Sequence, residues 1–542
     1  MIARRLGDLL LALALIGVVG WPLLATARAA VGGWGGDGSG QPARPGEIVR
    51  PLGLAWETAR LVVAAEAMAM PAGVALAFLL CRTDAWGRRA MLGAVLLAAF
   101  VPTPLHATAW LGGFGNAGRS QALGAGPWLV GWPGAAFIHA AAALPWIVLI
   151  VGVGLRSVEP ELEDAARLDL PPWRVAWQVT LRRCPGYLAA AALAVAVQTA
   201  GDMTVTDLLL VRTYAEEAYI RYQMGDAPGA AASALLPLIV LGGLIFAGST
   251  ALLRLDPARL ASAASRARDW PLGRWRVPVG MAILMTAGNL VALPLYSLVW
   301  RAGRVGGVAG RPPTWSPSGL AGTIAASAGE LVGPAFRDPF ESPMASSLIL
   351  AAIAATGTAA LAWCLAWKSR RSAAWRWITA ATLAATLATP GPVAGMALVL
   401  GYIGWPRFYD SPGLVILAFG FRTLPYALLV AWPAVRGLPP EILEAAEVDG
   451  CGPLGQAIRV GVPLTRAAIA ASWGVAFALA MGELPAANQV VPPGTSLLSV
   501  RVWGLLHTGV ESKLAGIGLV TLAILALPAW IAGRGLARLS PR

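Results

Sequence analysis

Apolar runs of eighteen or more residues recur along the whole chain, separated by short polar segments rich in arginine. Runs of that length match the hydrocarbon thickness of a bilayer. Twelve can be drawn: 9–27, 57–81, 90–112, 133–155, 187–210, 232–253, 277–299, 345–367, 377–403, 413–435, 467–486 and 514–533. The pattern predicts an all-α polytopic membrane protein of about 12 transmembrane helices. An even number of spans puts both termini on one side. Arg4 and Arg5 before the first span, with the arginines of the loops near 82–89, 156–183 and 368–376, assign that side to the cytoplasm. Basic residues favour it by about two to one, and most strongly in short loops, as the positive-inside rule requires. The first thirty residues also read as a signal peptide, with a basic start, an apolar core and an Ala-Arg-Ala ending. We read them as a retained first span, because the apolar run is long and carries Trp21-Pro22 near its end. Residues 32–46, GGWGGDGSGQPARPG, read as a flexible outer loop.

A basic stretch, RLDPARLASAASRARDWPLGRWR at 254–276, divides the chain. Residues 1–256 form a first half with six spans, 257–276 a cytoplasmic linker, and 277–542 a second half with six more. The halves repeat each other. At a shift of 280, Leu144-Pro145-Trp146 meets Leu424-Pro425-Tyr426, Pro160-Glu161 meets Pro440-Glu441, Asp169 meets Asp449, and Arg221 meets Arg501. At 281, Gly201-Asp202 meets Gly482-Glu483. At 288, Pro102-Thr103-Pro104 meets Pro390-Gly391-Pro392. Six spans per half give both halves the same orientation, so a pseudo-two-fold axis along the membrane normal should relate them.

One polar element interrupts each half between its fourth and fifth spans. In the second half it reads EILEAAEVDGCGPLGQAIRVGVPL, residues 441–464. Pro439-Pro440 starts a helix, Glu441 and Glu444 oppose the positive end of its dipole, and Gly450, Gly452 and Pro453 stop it. A second short helix is expected over roughly 454–461, ending at Pro463. A loop with two capped helices, repeated in both halves, suits a docking surface better than a solvated loop.

The spacing carries a resemblance. Glu444-Ala445-Ala446, three residues, Gly450, nine residues, then Val460-x-Val462-Pro463 resembles the EAA loop of ABC-importer permeases. The two valines are conservative departures from an isoleucine and a leucine. The resemblance implies a type I importer permease with both halves fused, loops at 159–185 and 439–465, and coupling helices that insert into an ATPase dimer. It also implies a substrate-binding protein on the outer face and a home in the bacterial cytoplasmic membrane. The first loop departs: Ala165, Ala166 and Asp169 match in place, but Asp164 replaces glutamate, Leu170 replaces glycine and Arg183 replaces proline. Pro171-Pro172 would still break the helix, so a corner of different geometry is expected. Fused permeases of this length resemble the ferric-iron importers, with the thiamine importers as close relatives, and iron is the expected solute. An ion-coupled secondary transporter and a non-transporting scaffold are the alternatives.

Composition supports the membrane reading. The chain is 57% hydrophobic and 13% charged, with mean hydropathy +0.65, against about 25% charged in soluble domains. The net charge of +13 sits in loops between spans and carries no nucleic-acid motif. The four cysteines and three histidines are isolated, so no metal or disulfide framework is indicated. Neither lysine, Lys368 or Lys513, lies in a P-loop. The chain is therefore expected to be no enzyme and to bind no cofactor, with ATP used by a separate subunit. Carboxylates inside spans are costly and often line pathways. Asp202 and Glu483 are pathway candidates for that reason. So are Pro102, Pro104, Pro390 and Pro392, which would interrupt the third and ninth spans beside a cavity. Arg422 falls within the tenth span.

Overall fold

A computed structural model describes residues 2–34, 45–99, 101–116, 118–252, 269–306 and 314–524. The flexible loop expected over 32–46, most of the linker 257–276 and the second part of the last span lie largely outside these residues.

The described chain is almost wholly helical, and its two short strands, Arg304–Val305 and Thr314–Trp315, form one hairpin. Among the described residues eight helices are long and apolar enough to cross a membrane unbroken: Leu6–Val31, Leu52–Arg82, Gly131–Arg156, Ala227–Thr250, Gly273–Ala302, Pro343–Arg371, Pro412–Arg436 and Pro453–Gly482. Three further candidates are bent pairs. Arg88–Ala99 and Thr103–Ala122 meet at 108°, Pro172–Arg183 and Pro185–Gly201 at 74°, and Ala373–Ala388 and Gly391–Tyr402 at 110°. Of the twelfth expected span, residues 514–524 lie in a helix over 511–524, and the rest lies outside the described residues.

The third and ninth spans are thus not the single rods drawn at 90–112 and 377–403. Their bends fall at the expected prolines, for a local reason. A residue before proline is pushed out of the helical region, and Thr389 adopts φ −78°, ψ 116°. Pro102 and Pro390 then serve as extended N-caps, with ψ 140° and 155°, for helices that restart with Pro104 and Pro392 in their first turns.

The repeat is visible in the packing. Leu52–Arg82 lies along Gly131–Arg156, and Pro343–Arg371 lies along Pro412–Arg436. Ala351, Ala355, Ala362, Phe419, Phe421 and Leu428 fill the second core, while Ala69, Ala77, Ile147, Val148 and Val151 fill the first. The small residues let the backbones approach closely, as membrane helices do where lipid removes the hydrophobic drive. Leu13, Val63, Ile239, Met285 and Ile353 face outward, where a bilayer would cover them.

Each half lends its first span to the other. The helix over Trp21–Trp34 packs on Gly391–Tyr402 of the second half, with Trp21 Nε1 donating to Gly401 O (2.6 Å) and Tyr402 OH to Gly17 O (2.6 Å). In return the helix Arg276–Ala302 packs on Thr103–Phe114 of the first half.

Candidate functional site

The two polar loops lie at one end of the helices and differ in construction. In the second, Pro440–Val448 is helical and ends in a left-handed glycine: Gly450 has φ +80°. Gly450 N–H donates to Glu447 O (3.0 Å) and Cys451 N–H to Ala446 O (2.9 Å). That pair of bonds is the Schellman closure, and its left-handed position favours glycine. Gln456 then ties the corner from behind. Its Oε1 accepts from Arg371 Nη2 (2.7 Å), and its Nε2 donates to Leu443 O (3.3 Å). Glu441, Glu444, Ala445, Glu447 and Asp449 remain exposed.

The helix expected to end at Pro463 does not end there. Pro453–Gly482 runs on as one candidate span, because the turn Gln456–Gly461 is π-helical. Such a bulge relieves the missing N–H and the ring clash of an inner proline. A 30-residue helix is about 45 Å long, so one rod joins the loop to Glu483 at its far end.

The first loop keeps a corner without glycine. Pro160–Ala166 is helical, Leu170 N–H returns to Ala166 O (2.9 Å), and Pro171-Pro172 launches the next turn. Leu170 is not left-handed; among the described residues Leu210 is the one non-glycine with positive φ. Here the chain breaks after Arg183, at Cys184-Pro185, giving the 74° bend. The anchor is ionic: Glu163, buried, pairs with Arg82 and accepts from Thr180 Oγ1 (2.7 Å) and Trp270 Nε1 (3.3 Å). Arg82 Nη1 also donates to Leu155 O (2.8 Å). Residue 443, the counterpart of Glu163, is a leucine. Asp164, Ala165 and Asp169 are exposed, and Ala166 is half-buried. From each loop an apolar side chain projects at the same repeat position: Leu168 is 87% and Val448 88% exposed.

The predicted pathway residues converge at mid-chain depth around a cavity of 490 Å³. Its lining includes Pro102, Pro104, Pro390, Asp202, Glu483 and Gln198. The halves cross here. A Cβ on Gly482 would lie 3.0 Å from the Pro102 ring, and one on Gly201 would lie 3.7 Å from Pro390 Cα. Pro392 is buried beside this point, its carbonyl accepting from Gln489 Nε2 (2.9 Å). The two acids also terminate their helices. Asp202 Oδ2 accepts from Val205 N (2.8 Å) and Glu483 Oε1 from Ala486 N (3.1 Å), so each caps the short turn after the break. The fifth and eleventh spans, drawn to 210 and 486, therefore stop at Gly201 and Gly482.

Sequence reasoning placed Arg422 in a span but missed its role. Arg422 Nε donates to Glu483 Oε2 (3.2 Å), and Nη1 to Thr389 O (2.8 Å), the carbonyl freed where the ninth span breaks. An arginine in an otherwise apolar span was signal enough to look for such partners. Its repeat counterpart is Ala142, so among the described residues the wall carries Asp202, Glu483 and one cation. Trp146 and Tyr426, also repeat counterparts, face each other there with centroids 6.2 Å apart.

At the other end of the molecule Glu330 bridges Arg501 and Lys513. Burial pushes its carboxyl up, but those two cations outweigh it and hold the group below the ordinary carboxylate range. Its folded value is depressed, so the clamp's contribution is present at neutral pH and lost as pH falls through that value.

Comparison with known proteins agrees with this architecture. The family described as "Binding-protein-dependent transport system inner membrane component" matches residues 69–257. The putrescine transport system permease protein PotI of Escherichia coli K12 is 30% identical over 210 residues, covering 37% of this chain and 74% of PotI. The chain belongs to the binding-protein-dependent transport inner-membrane family. The spermidine/putrescine transport system permease protein PotC of the same strain is 25% identical over 115 residues, 21% of this chain and 43% of PotC. This permease is thus a multi-pass transport subunit of an ABC importer of small solutes. The family match falls on the half whose loop departs most from the EAA pattern.

Proposed function

We propose that this permease moves a small organic cation of the polyamine class, released by a binding protein on one face, and is driven by an ATPase dimer held on the two polar loops at the other. The carrying observation is the unbroken helix from Pro453 in the second loop to Gly482 at the cavity. A displacement of the loop is transmitted along that rod to Glu483 and to the crossing with Pro102. Coupling to ATP therefore needs no chemistry in this chain. ATP binds the partner, and the halves rock between two arrangements of a central pathway.

Two features support the solute class. Asp202 and Glu483 against the single Arg422 leave the wall with one carboxylate in excess. Trp146 and Tyr426 offer aromatic faces that attract cations. The relatives compared above carry polyamine names. Ferric iron, expected from the resemblance to fused iron permeases, gains no support from those names. Among the described residues no three His, Cys, Asp or Glu side chains converge on one point.

Uptake by vesicles holding the whole transport complex tests this. Putrescine uptake should require ATP. Asp202→Asn, which can still cap Val205, should raise the half-saturating concentration about tenfold, the scale of one weakened charge contact. ATP-dependent uptake of ferric iron without putrescine would replace the solute class and leave the permease reading standing. ATP-independent uptake would overturn the coupling.

A further inference from the structure

Beyond the breaks at Asp202 and Glu483, each half carries a short helix, Thr204–Leu208 and Ala487–Val490, and then a longer one, Tyr214–Gln223 and Leu498–Thr508. These elements lie past the cavity on the side away from the loops, and they cross between halves twice. Asn488 Nδ2 donates to Tyr219 OH (3.0 Å), and His507 Nε2 lies 3.0 Å from Asp207 Oδ2. The two contacts are built alike, each joining a residue of a short helix to one of the longer helix in the opposite half. Asp207 corresponds to Asn488 at the shift of 281 that relates Asp202 to Glu483. Tyr219 and His507 each lie on the longer helix of their half. One contact is neutral and the other titratable.

The geometry around His507 defines its charge when the contact is made. Nδ1 lies 3.0 Å from Trp503 O, which can only accept, and Nε2 faces a carboxylate oxygen. A neutral imidazole donates from one nitrogen only, whereas the imidazolium donates from both. The ring also rests on Trp503, with centroids 4.3 Å apart. The helix of His507 packs against Thr103–Phe114, Pro343–Arg371, Val462–Gly482 and Ala487–Val490. Those elements bring His106 and the terminal Glu483, with Cys364, Lys368, Arg370, Arg371 and Arg466 towards their loop ends, and Glu511 follows His507 in the chain, 3.4 Å from Arg301. On its own helix Arg501 is committed to Glu330. On the partner side Glu216 and Tyr219 are close enough to feel the Asp207 charge. Arg212, nearby in sequence, is paired with Glu217. Next to Asp207 the backbone is strained: Leu210 holds φ +56° and is 88% exposed. Such corners are found where segments switch.

We propose that Asp207–His507 and Tyr219–Asn488 are paired latches joining the two halves over the cavity, and that the first makes opening depend on a bound proton. The residues act as positioning groups for alternating access, so the inference rests on the permease reading. Loss of the bound proton leaves His507 with one of its two donors and loosens this latch, while the neutral latch stays. The substitution that removes the switch is written in the other half: Asp207→Asn with His507→Tyr rebuilds the Tyr–Asn contact.

Spin labels at Leu210→Cys and Val510→Cys, both exposed sites beside the latch, report the test in the full chain in lipid vesicles with the four native cysteines replaced. The fraction of long label-to-label distances should rise about twofold or more between pH 5 and pH 8, the range in which histidine titrates. The double variant should show one short distance at both pH values. An unchanged distribution in the parent chain, or a pH response surviving in the double variant, overturns the proposal. ATP-driven uptake by the complex in parallel vesicles judges the permease reading separately.

Discussion

ATP-driven uptake falls about tenfold or more when Gly450 is replaced by valine or proline, while ATPase activity of the complex persists. Gly450 sits at φ +80° with open space around it, so the loss comes from backbone geometry rather than from a clash. A side chain in that region costs about 1–2 kcal/mol, and proline also removes the N–H that closes on Glu447 O. The chain relieves both by unwinding the corner. Glu444 and Val448 are then displaced from the element that continues into Pro453–Gly482. Gly450→Ala, with the smallest Cβ, should give an intermediate loss. Leu170→Gly in the first loop should leave uptake unchanged, because that corner closes on Ala166 O without a left-handed residue. Measuring uptake and ATP hydrolysis side by side checks the split.

The second large effect lies behind the first loop. Arg82→Met should remove most of the permease from the membrane, because it leaves the Glu163 carboxylate buried with only Thr180 and Trp270 as donors. Breaking one partner of a buried pair costs about 3–5 kcal/mol, a large share of a typical folding free energy. Replacing both partners should be far milder, since a well-packed apolar pair can match a buried ion pair. The second half already demonstrates the apolar solution, with Leu443 where the first has Glu163. Arg82→Met with Glu163→Leu is therefore expected to restore most of the protein. Membrane abundance and thermal stability of the three variants check this.

Much of the fold was legible because its signals are local. Bilayer-length apolar runs, prolines and the repeat shifts required no knowledge of tertiary contacts. They placed the breaks at Pro102 and Pro390, the helix start at Pro440 and the corner at Gly450. What sequence could not reach were choices made between elements. Pro463 looked like a stop, and became part of a rod because a π-helical turn absorbs it. Asp202 and Glu483 looked like charges inside continuous spans, and proved to end those spans by capping the next turn. Arg422 found Glu483 and Thr389 only once two breaks were brought together, and Glu163 became an anchor only through Arg82 and Trp270. These pairings depend on contacts 33 to 107 residues apart, which no local pattern encodes.

The central claim is that both polar loops seat an ATPase. A photo-crosslinking side chain at Val448 and, in a second variant, at Leu168 addresses it in native membranes. These counterparts project furthest from the two loops, and mass spectrometry identifies what each captures. The account predicts a nucleotide-binding ATPase subunit in both adducts, weakened at Val448 by Gly450→Val. Adducts without an ATPase at either position, in membranes where the permease is intact, would contradict it.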